Sequence, residues 1–114
     1  MKYLITISVS QIANIESFFV RITYADTYAV ILHNKQHCEP HYHIYLRYID
    51  FPLSTHMLSH VLCINESNII CINSSERDIV SYMLSLNLKP EYQYQLSDLT
   101  TNMNLRSLKE ELCI

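Results

Sequence analysis

The chain has 114 residues, a hydrophobic fraction of 49% and a formal net charge of −3 at pH 7. A chain of this length forms one domain with one core, so we treat residues 1–114 as a single domain with no room for a second module such as a helicase. The acidic balance excludes a general attraction to nucleic acid, and a polyanionic partner would have to meet a local basic patch.

Several classes of protein are excluded by what the sequence lacks. No apolar run approaches the roughly 18 to 20 residues that a membrane-spanning helix requires. The N-terminal segment alternates like a strand and is followed by no cleavage site of small residues, so we expect a soluble protein of the cytoplasm. Glycine is absent, which excludes a glycine-rich phosphate loop. Cys71 lies in the apolar run "NIICIN" and is predicted to be a buried thiol.

The first half of the chain is predicted to contain three strands and one helix. Alternating apolar residues over 2–9 predict a strand, and apolar residues at helical spacing predict a helix near 11–23. "TYAVILH" and "HYHIYLRYI" predict two further strands. The loop at 34–40 separates them, so that they form a hairpin.

The second half is predicted to add two helices and a strand before a less regular ending. Pro52 can open a helix, and "NIICIN" predicts a fourth strand. "SSERDIVSYMLSLNL" predicts a third helix, because Ser75 and Asp78 have the spacing of a capping box. "EYQYQL" and a weak helix near 98–111 complete the chain.

The order of these elements predicts the class of fold. Strand, helix, strand, strand, helix, strand is the order of the ferredoxin-like split βαβ unit. We therefore predict an α+β protein with an antiparallel sheet and helices on one face. The helix after the fourth strand is an addition to this unit, and we expect it to lie over the other face.

Four of the six histidines fall within eleven positions, at 33, 37, 41 and 43. Strand alternation places His41 and His43 on one face of the third strand, together with Tyr45 and Arg47. The hairpin brings His33 roughly opposite His41, so three imidazoles can converge on one cation. His37 is expected to be exposed in the loop.

His56 and His60 have the i, i+4 spacing of a zinc-binding pair on a helix. The intervening glutamate of such motifs and a third ligand are missing. We interpret the two histidines as the polar flank of an amphipathic helix.

"YAVILHNKQHCEPHYHIYLRY" resembles the central region of HUH-type rolling-circle replication initiators, the Rep endonucleases of plasmids and viruses. The histidine-hydrophobe-histidine motif of that family matches His41-Tyr42-His43, and its upstream I-x-H and P-H-x-H segments also match. "DIVSYMLSLNLKPEYQY" is similar to the family segment Y-L-x-x-K-x-x-x-K-x-x-Y-x-Y and aligns the catalytic tyrosine with Tyr82. The similarity covers about residues 1–95.

The resemblance implies a single HUH endonuclease domain that nicks and rejoins single-stranded DNA at an origin. The paired histidines and a further polar ligand would hold one divalent cation, Mn²⁺ or Mg²⁺, which polarises the scissile phosphate. Tyr82 would attack that phosphate and form a 5′-phosphotyrosine with a free 3′-OH, so this added helix carries the catalytic residue.

The further metal ligand is left open by a departure from the family pattern, which has an acidic residue where this chain has Gln36. The candidates are His33, Gln36 and Glu39. We favour His33, because the end of a strand is better fixed than a loop. Ligation rich in imidazole and poor in carboxylate favours Mn²⁺ over Mg²⁺.

Single-stranded DNA is commonly held by cations interleaved with aromatic rings. The candidate DNA-binding residues are Lys35, Arg47 and Lys89, with Arg77 as a further cation and Tyr45 as a stacking surface. The acidic balance of the chain predicts weak and salt-sensitive binding. We also expect a homodimer, because the domain is small and has edge strands, and the cytoplasm of a host cell if the protein is viral.

Two alternatives remain open. One is a single-tyrosine HUH transposase, which shares the same chemistry. The other is a non-catalytic ferredoxin-like domain that binds nucleic acid and holds a structural zinc. A Mn²⁺-dependent covalent adduct with single-stranded DNA would separate the two enzymes from the binding domain.

Overall fold

A computed structural model describes residues 1–35 and 39–114 of the chain. Within these residues there are five strands and four α-helices: β1 Lys2–Ser8, α1 Ile15–Ile22, β2 Thr27–His33, β3 His41–Arg47, α2 Thr55–Leu62, β4 Ile69–Ile72, α3 Glu76–Met83, β5 Thr100–Thr101 and α4 Leu105–Leu112. Short 3₁₀ turns occur at Val9–Gln11, Glu66–Asn68, Pro90–Tyr92 and Leu96–Asp98. In this part of the chain, no helix is both long enough and apolar enough to cross a membrane.

The strands form one antiparallel sheet in the order β4-β1-β3-β2-β5. The order of the first four strands is that of the ferredoxin-like split βαβ unit, so the predicted α+β class is confirmed. β5 is an addition at the edge, where Thr100 and Thr101 pair with Val30 and Ala29 of β2.

Both faces of the sheet are covered by helices. On one face, Tyr3, Ile5 and Ile7 of β1 and Ile44 and Leu46 of β3 are buried with Phe18 and Ile22 of α1 and Leu58 and Leu62 of α2. On the other face, Ala29, Ile31 and Tyr45 are buried with Ile79, Val80 and Met83 of α3 and Leu108 of α4. The alternation of β3 therefore sends its two sets of side chains into two separate cores, as period 2 requires.

Helix α3 begins where the sequence predicts and ends earlier than expected. The Ser75 hydroxyl accepts a hydrogen bond from the Asp78 amide at 3.2 Å, which caps the first turn. The helix ends at Met83, and Ser85 has a φ of 57°. The Leu86 amide then donates to the Ser81 carbonyl at 3.2 Å, which closes a Schellman turn.

The same left-handed ending recurs at the other late helices. Among the described residues, positive φ values occur at Cys63, Ser85 and Cys113, which follow α2, α3 and α4. Glycine normally occupies this position because it has no Cβ. The chain has no glycine, so two cysteines and a serine adopt the left-handed conformation instead.

Two further predictions about local structure were wrong. Cys71 is exposed, and it lies on β4, which is an edge strand of the sheet. Helix α1 begins at Ile15, after Asn14, whose side chain accepts from the Ser17 amide at 3.1 Å.

Candidate metal centre and tyrosine

His33, His41 and His43, here called the triad, lie together at one end of the β2–β3 hairpin. His33 pairs directly with His41 in the sheet, and His43 lies two residues further along β3. One ligand nitrogen from each histidine lies within 4.8 Å of the others. The predicted convergence of three imidazoles is confirmed, and their role as metal ligands stays a prediction.

Backbone carbonyls orient two rings of the triad. His33 Nε2 lies 2.6 Å from the Met83 carbonyl oxygen, and His41 Nδ1 lies 3.0 Å from the Glu39 carbonyl oxygen. A carbonyl can only accept, so these nitrogens carry the proton and, in the neutral rings, His33 Nδ1 and His41 Nε2 carry the lone pair. Metal-binding histidines typically donate their second nitrogen in this way.

The electrostatics of the triad favour neutral imidazoles. Burial, together with the neighbouring His33 and His41 rings, lowers the pKa of His43 to about 3, and burial is the largest of these causes. Burial also lowers the pKa of His33, opposed by its bond to the Met83 carbonyl and assisted by His41. The neutral ring is the form that binds a metal ion.

His43 also carries a buried polar atom in need of a partner. Its side chain is 6% exposed, and its Nδ1 has no hydrogen-bond partner among the described residues. Leaving a buried nitrogen unsatisfied costs about 1 to 3 kcal/mol. Together with the tautomers of His33 and His41, this atom fits a triad that binds a divalent cation.

Tyr82 lies beside the triad on α3. Its ring centroid is 5.4 Å from that of His43, with the ring planes at 70°. Ile79 and Met83 of the same helix are buried against the sheet. This packing leaves Tyr82 at the outer edge of the contact between α3 and the sheet, where it is 49% exposed. A phenol accessible to a large substrate therefore stands next to the candidate ligands.

Of the other two candidate ligands, Gln36 and Glu39, the structure describes only Glu39. The Glu39 carboxylate accepts a hydrogen bond from the Ser10 hydroxyl and is not part of the group of converging ligands. Gln36 and His37 lie outside the described residues. Among the described residues, the ligands brought together are three histidine nitrogens.

The prediction that Tyr45 forms a stacking surface was wrong. Its side chain is fully buried, and its hydroxyl donates to the Glu76 carboxylate at 2.7 Å. Burial raises the pKa of Tyr45, and the Glu76 carboxylate raises it further. The cause is the packing of α3 and α4 over this part of the sheet, which β3 alternation alone does not reveal.

The cations predicted to bind DNA have different surroundings. Arg47 lies four residues beyond His43 on β3, about 13 Å away along the strand, and its guanidinium is 3.6 Å from Glu76.

Lys35 donates to the Gln93 carbonyl at 2.5 Å. Arg77 is 3.5 Å from Asp78, and Lys89 is exposed. Lys35 is thus the cation nearest in sequence to the triad.

Tyr94 supports the triad, and the sequence reasoning assigned it no role. Its ring stacks on His33, with centroids 4.7 Å apart and planes at 11°. Its hydroxyl oxygen accepts from the backbone amides of Asn34 at 2.7 Å and Lys35 at 3.0 Å. The Y-x-Y at the end of the family segment was the sequence signal that could have pointed to Tyr94.

Thr6 is a second neighbour that was missed. It pairs with His43 across β1 and β3 and is exposed on the face that carries the triad. A hydroxyl therefore lies beside the candidate centre. The strand register, which the sequence did not provide, was needed to find it.

No protein-family model matches the chain, and no curated protein matches it either. The functional argument therefore depends on the chemistry of the triad and of Tyr82.

Proposed function

We propose that the chain is a metal-dependent HUH-type endonuclease that nicks and rejoins single-stranded DNA as a replication initiator. The observation that carries the proposal is the placement of the half-exposed Tyr82 ring 5.4 Å from the His43 ring of a three-histidine cluster. A nucleophile beside a set of metal ligands is the arrangement that phosphoryl transfer requires. The resemblance to Rep proteins supports the same chemistry.

In the proposed reaction, one phosphodiester bond of the DNA is exchanged for a bond between the same phosphate and Tyr82. The Tyr82 hydroxyl loses its proton and its oxygen attacks the scissile phosphorus. The bond to the 3′ oxygen breaks, and that oxygen takes up a proton to leave a free 3′-OH. The resulting 5′-phosphotyrosine retains the energy of the broken bond, so a 3′-OH can attack it and rejoin the strand.

The triad would supply the ligands for the cation of this reaction. A divalent ion bound there acts as a Lewis acid toward the phosphoryl oxygens. His33 and His41 are held in orientation by the Met83 and Glu39 carbonyls. Three imidazoles without a carboxylate among the described ligands would favour Mn²⁺ over Mg²⁺.

The surface next to Tyr82 supports a single-stranded substrate. A trough of about 370 Å³ adjoins the tyrosine and is lined by Leu4, Ile70, Ile72, Ser74, Asp78, Ile79 and Tyr82. Apolar and aromatic walls suit an unpaired base, whose stacking on an aromatic ring is worth about 1 to 3 kcal/mol. Contacts between phosphates and cations such as Lys35 would make this binding weaken as salt increases.

The proposal extends to the setting of the enzyme. A small nicking domain of this kind would act in the cytoplasm, of a host cell if the gene is viral. A homodimer would place two tyrosines on one origin. DNA bound by the monomer or the dimer would be single-stranded at the nick, as the resemblance to Rep proteins implies.

Covalent capture of DNA tests the proposal. The protein is incubated with Mn²⁺ and a mixed-sequence single-stranded oligonucleotide that carries a different label at each end. We expect a denaturation-resistant adduct that retains the 3′ label, while the fragment with the 5′ label is released with a free 3′-OH. Tyr82→Phe should give no adduct, and Tyr24→Phe, at a tyrosine that is 77% exposed, serves as the matched control.

Three outcomes would refute the assignment. Equal adduct with Tyr82→Phe would exclude Tyr82 as the nucleophile. Retention of the 5′ label would mean a 3′-phosphotyrosine and a different polarity of attack. Thermal stabilisation by Zn²⁺ without any adduct would favour the alternative of a non-catalytic domain with a structural zinc.

A further inference from the structure

His56 and His60, here called the helix pair, face each other on successive turns of α2. Their Nε2 atoms are 3.3 Å apart, and their ring planes meet at 82°. Two nitrogens bound to one tetrahedral zinc, each at about 2.0 to 2.1 Å, are about 3.3 to 3.4 Å apart. The helix pair therefore already has the separation of two ligands on one ion.

A carboxylate orients one ring of the helix pair. His56 Nδ1 lies 3.4 Å from Glu66 Oε2, so the carboxylate accepts the Nδ1 proton and leaves the lone pair of the neutral ring on Nε2. Glu66 is in turn held by the Thr55 hydroxyl, which donates to Oε1 at 2.9 Å. A carboxylate behind a histidine is the outer arrangement found around many zinc ions.

We propose that the helix pair is a second cation site, specific for ions that prefer imidazole, such as Zn²⁺ and Ni²⁺. Both side chains are exposed, so water or an external ligand completes the coordination. α2 packs on the face of the sheet opposite to α3, which separates this site from the triad. The proposal is independent of the nicking activity.

Nuclear magnetic resonance with Ni²⁺ alone as the probe tests this proposal. The paramagnetic ion broadens the amide signals near its site, so Ni²⁺ added in excess over the amount that fills the triad should broaden residues 55–66 of the full chain. His60→Gln, which keeps a helix-compatible side chain, should abolish that broadening. A circular dichroism spectrum equal to that of the wild type verifies that α2 is intact.

The role of Glu66 provides a second, graded measurement. Glu66→Gln should weaken Ni²⁺ binding at the helix pair by about tenfold, because a neutral amide oxygen accepts the His56 proton more weakly than a carboxylate does. Glu111→Gln, at an exposed residue of α4, is the matched control and should bind as the wild type does. Unchanged broadening of 55–66 in His60→Gln, or none in the wild type with Ni²⁺ in excess over the triad, would overturn the proposal.

Discussion

The triad and the helix pair use the same side chain in opposite environments. The triad is assembled from β2 and β3 under α3, and burial lowers the pKa of His33 and His43. The helix pair lies on one exposed face of α2, oriented by the Glu66 carboxylate. Histidines on paired strands, buried under a helix, thus form a preorganised centre. Histidines on the exposed face of a single helix form a simple chelate.

The largest expected difference concerns the loss of one histidine from each group. His43→Ala should slow Mn²⁺-dependent adduct formation by at least about a hundredfold, because it removes the most buried ligand of the triad. His60→Ala should leave the rate within about twofold. Adduct yield over time on a denaturing gel measures both rates. Equal rates for His43→Ala and His60→Ala would contradict a functional difference between the triad and the helix pair.

Acid should destabilise the protein through the triad. The folded pKa of His43 is about 3 and the unfolded value is about 6.5, so below pH 6.5 the unfolded state binds more protons. The free energy of unfolding should fall by about 1.4 kcal/mol per pH unit between pH 6.5 and the folded pKa. His33 adds to the slope in the same direction.

Urea titrations of metal-free protein from pH 7 to pH 4.5 measure this slope. His43→Gln should flatten it, whereas His60→Gln, which changes an exposed ring, should leave it unaltered. A slope that persists in His43→Gln would mean that other groups carry the acid sensitivity.

Tyr94 offers a smaller effect confined to the triad. Tyr94→Leu removes the ring that stacks on His33 and should weaken Mn²⁺ binding by about tenfold, the lower limit for residues that orient a ligand. Tyr94→Phe keeps the stack and should bind Mn²⁺ nearly as the wild type does. Calorimetric titration measures both, and equal losses in Phe and Leu would assign the effect to the hydroxyl.

The smallest expected effect comes from the helix caps. Ser54→Ala removes the acceptor for the Met57 amide and should destabilise α2 by about 1 kcal/mol. Hydrogen exchange of α2 amides should accelerate and Ni²⁺ binding at the helix pair should weaken slightly. Ser75→Ala should destabilise α3 in the same way and weaken ion binding at the triad instead. A weaker triad in Ser54→Ala, or a weaker helix pair in Ser75→Ala, would contradict the separation of the two groups.

Sequence reasoning reached the fold and the triad because both depend on period 2. Alternation in β3 and the pairing of His33 with His41 follow from the hairpin, and this register needs few assumptions. The burial of Tyr45 was missed, since an alternating strand does not reveal whether a second layer covers its other face. Tyr94 was missed because its contact with His33 joins segments 61 positions apart in an irregular stretch.

The early end of α3 has an electrostatic consequence for the candidate centre. In a longer helix the Met83 carbonyl would accept the amide of Asn87. The left-handed turn at Ser85 diverts the chain, and the Met83 carbonyl accepts the His33 proton instead. The C-terminus of a helix carries about half a negative charge. A cation on the triad would therefore meet a negative pole made of peptide dipoles, in a centre whose described ligands bear no formal charge.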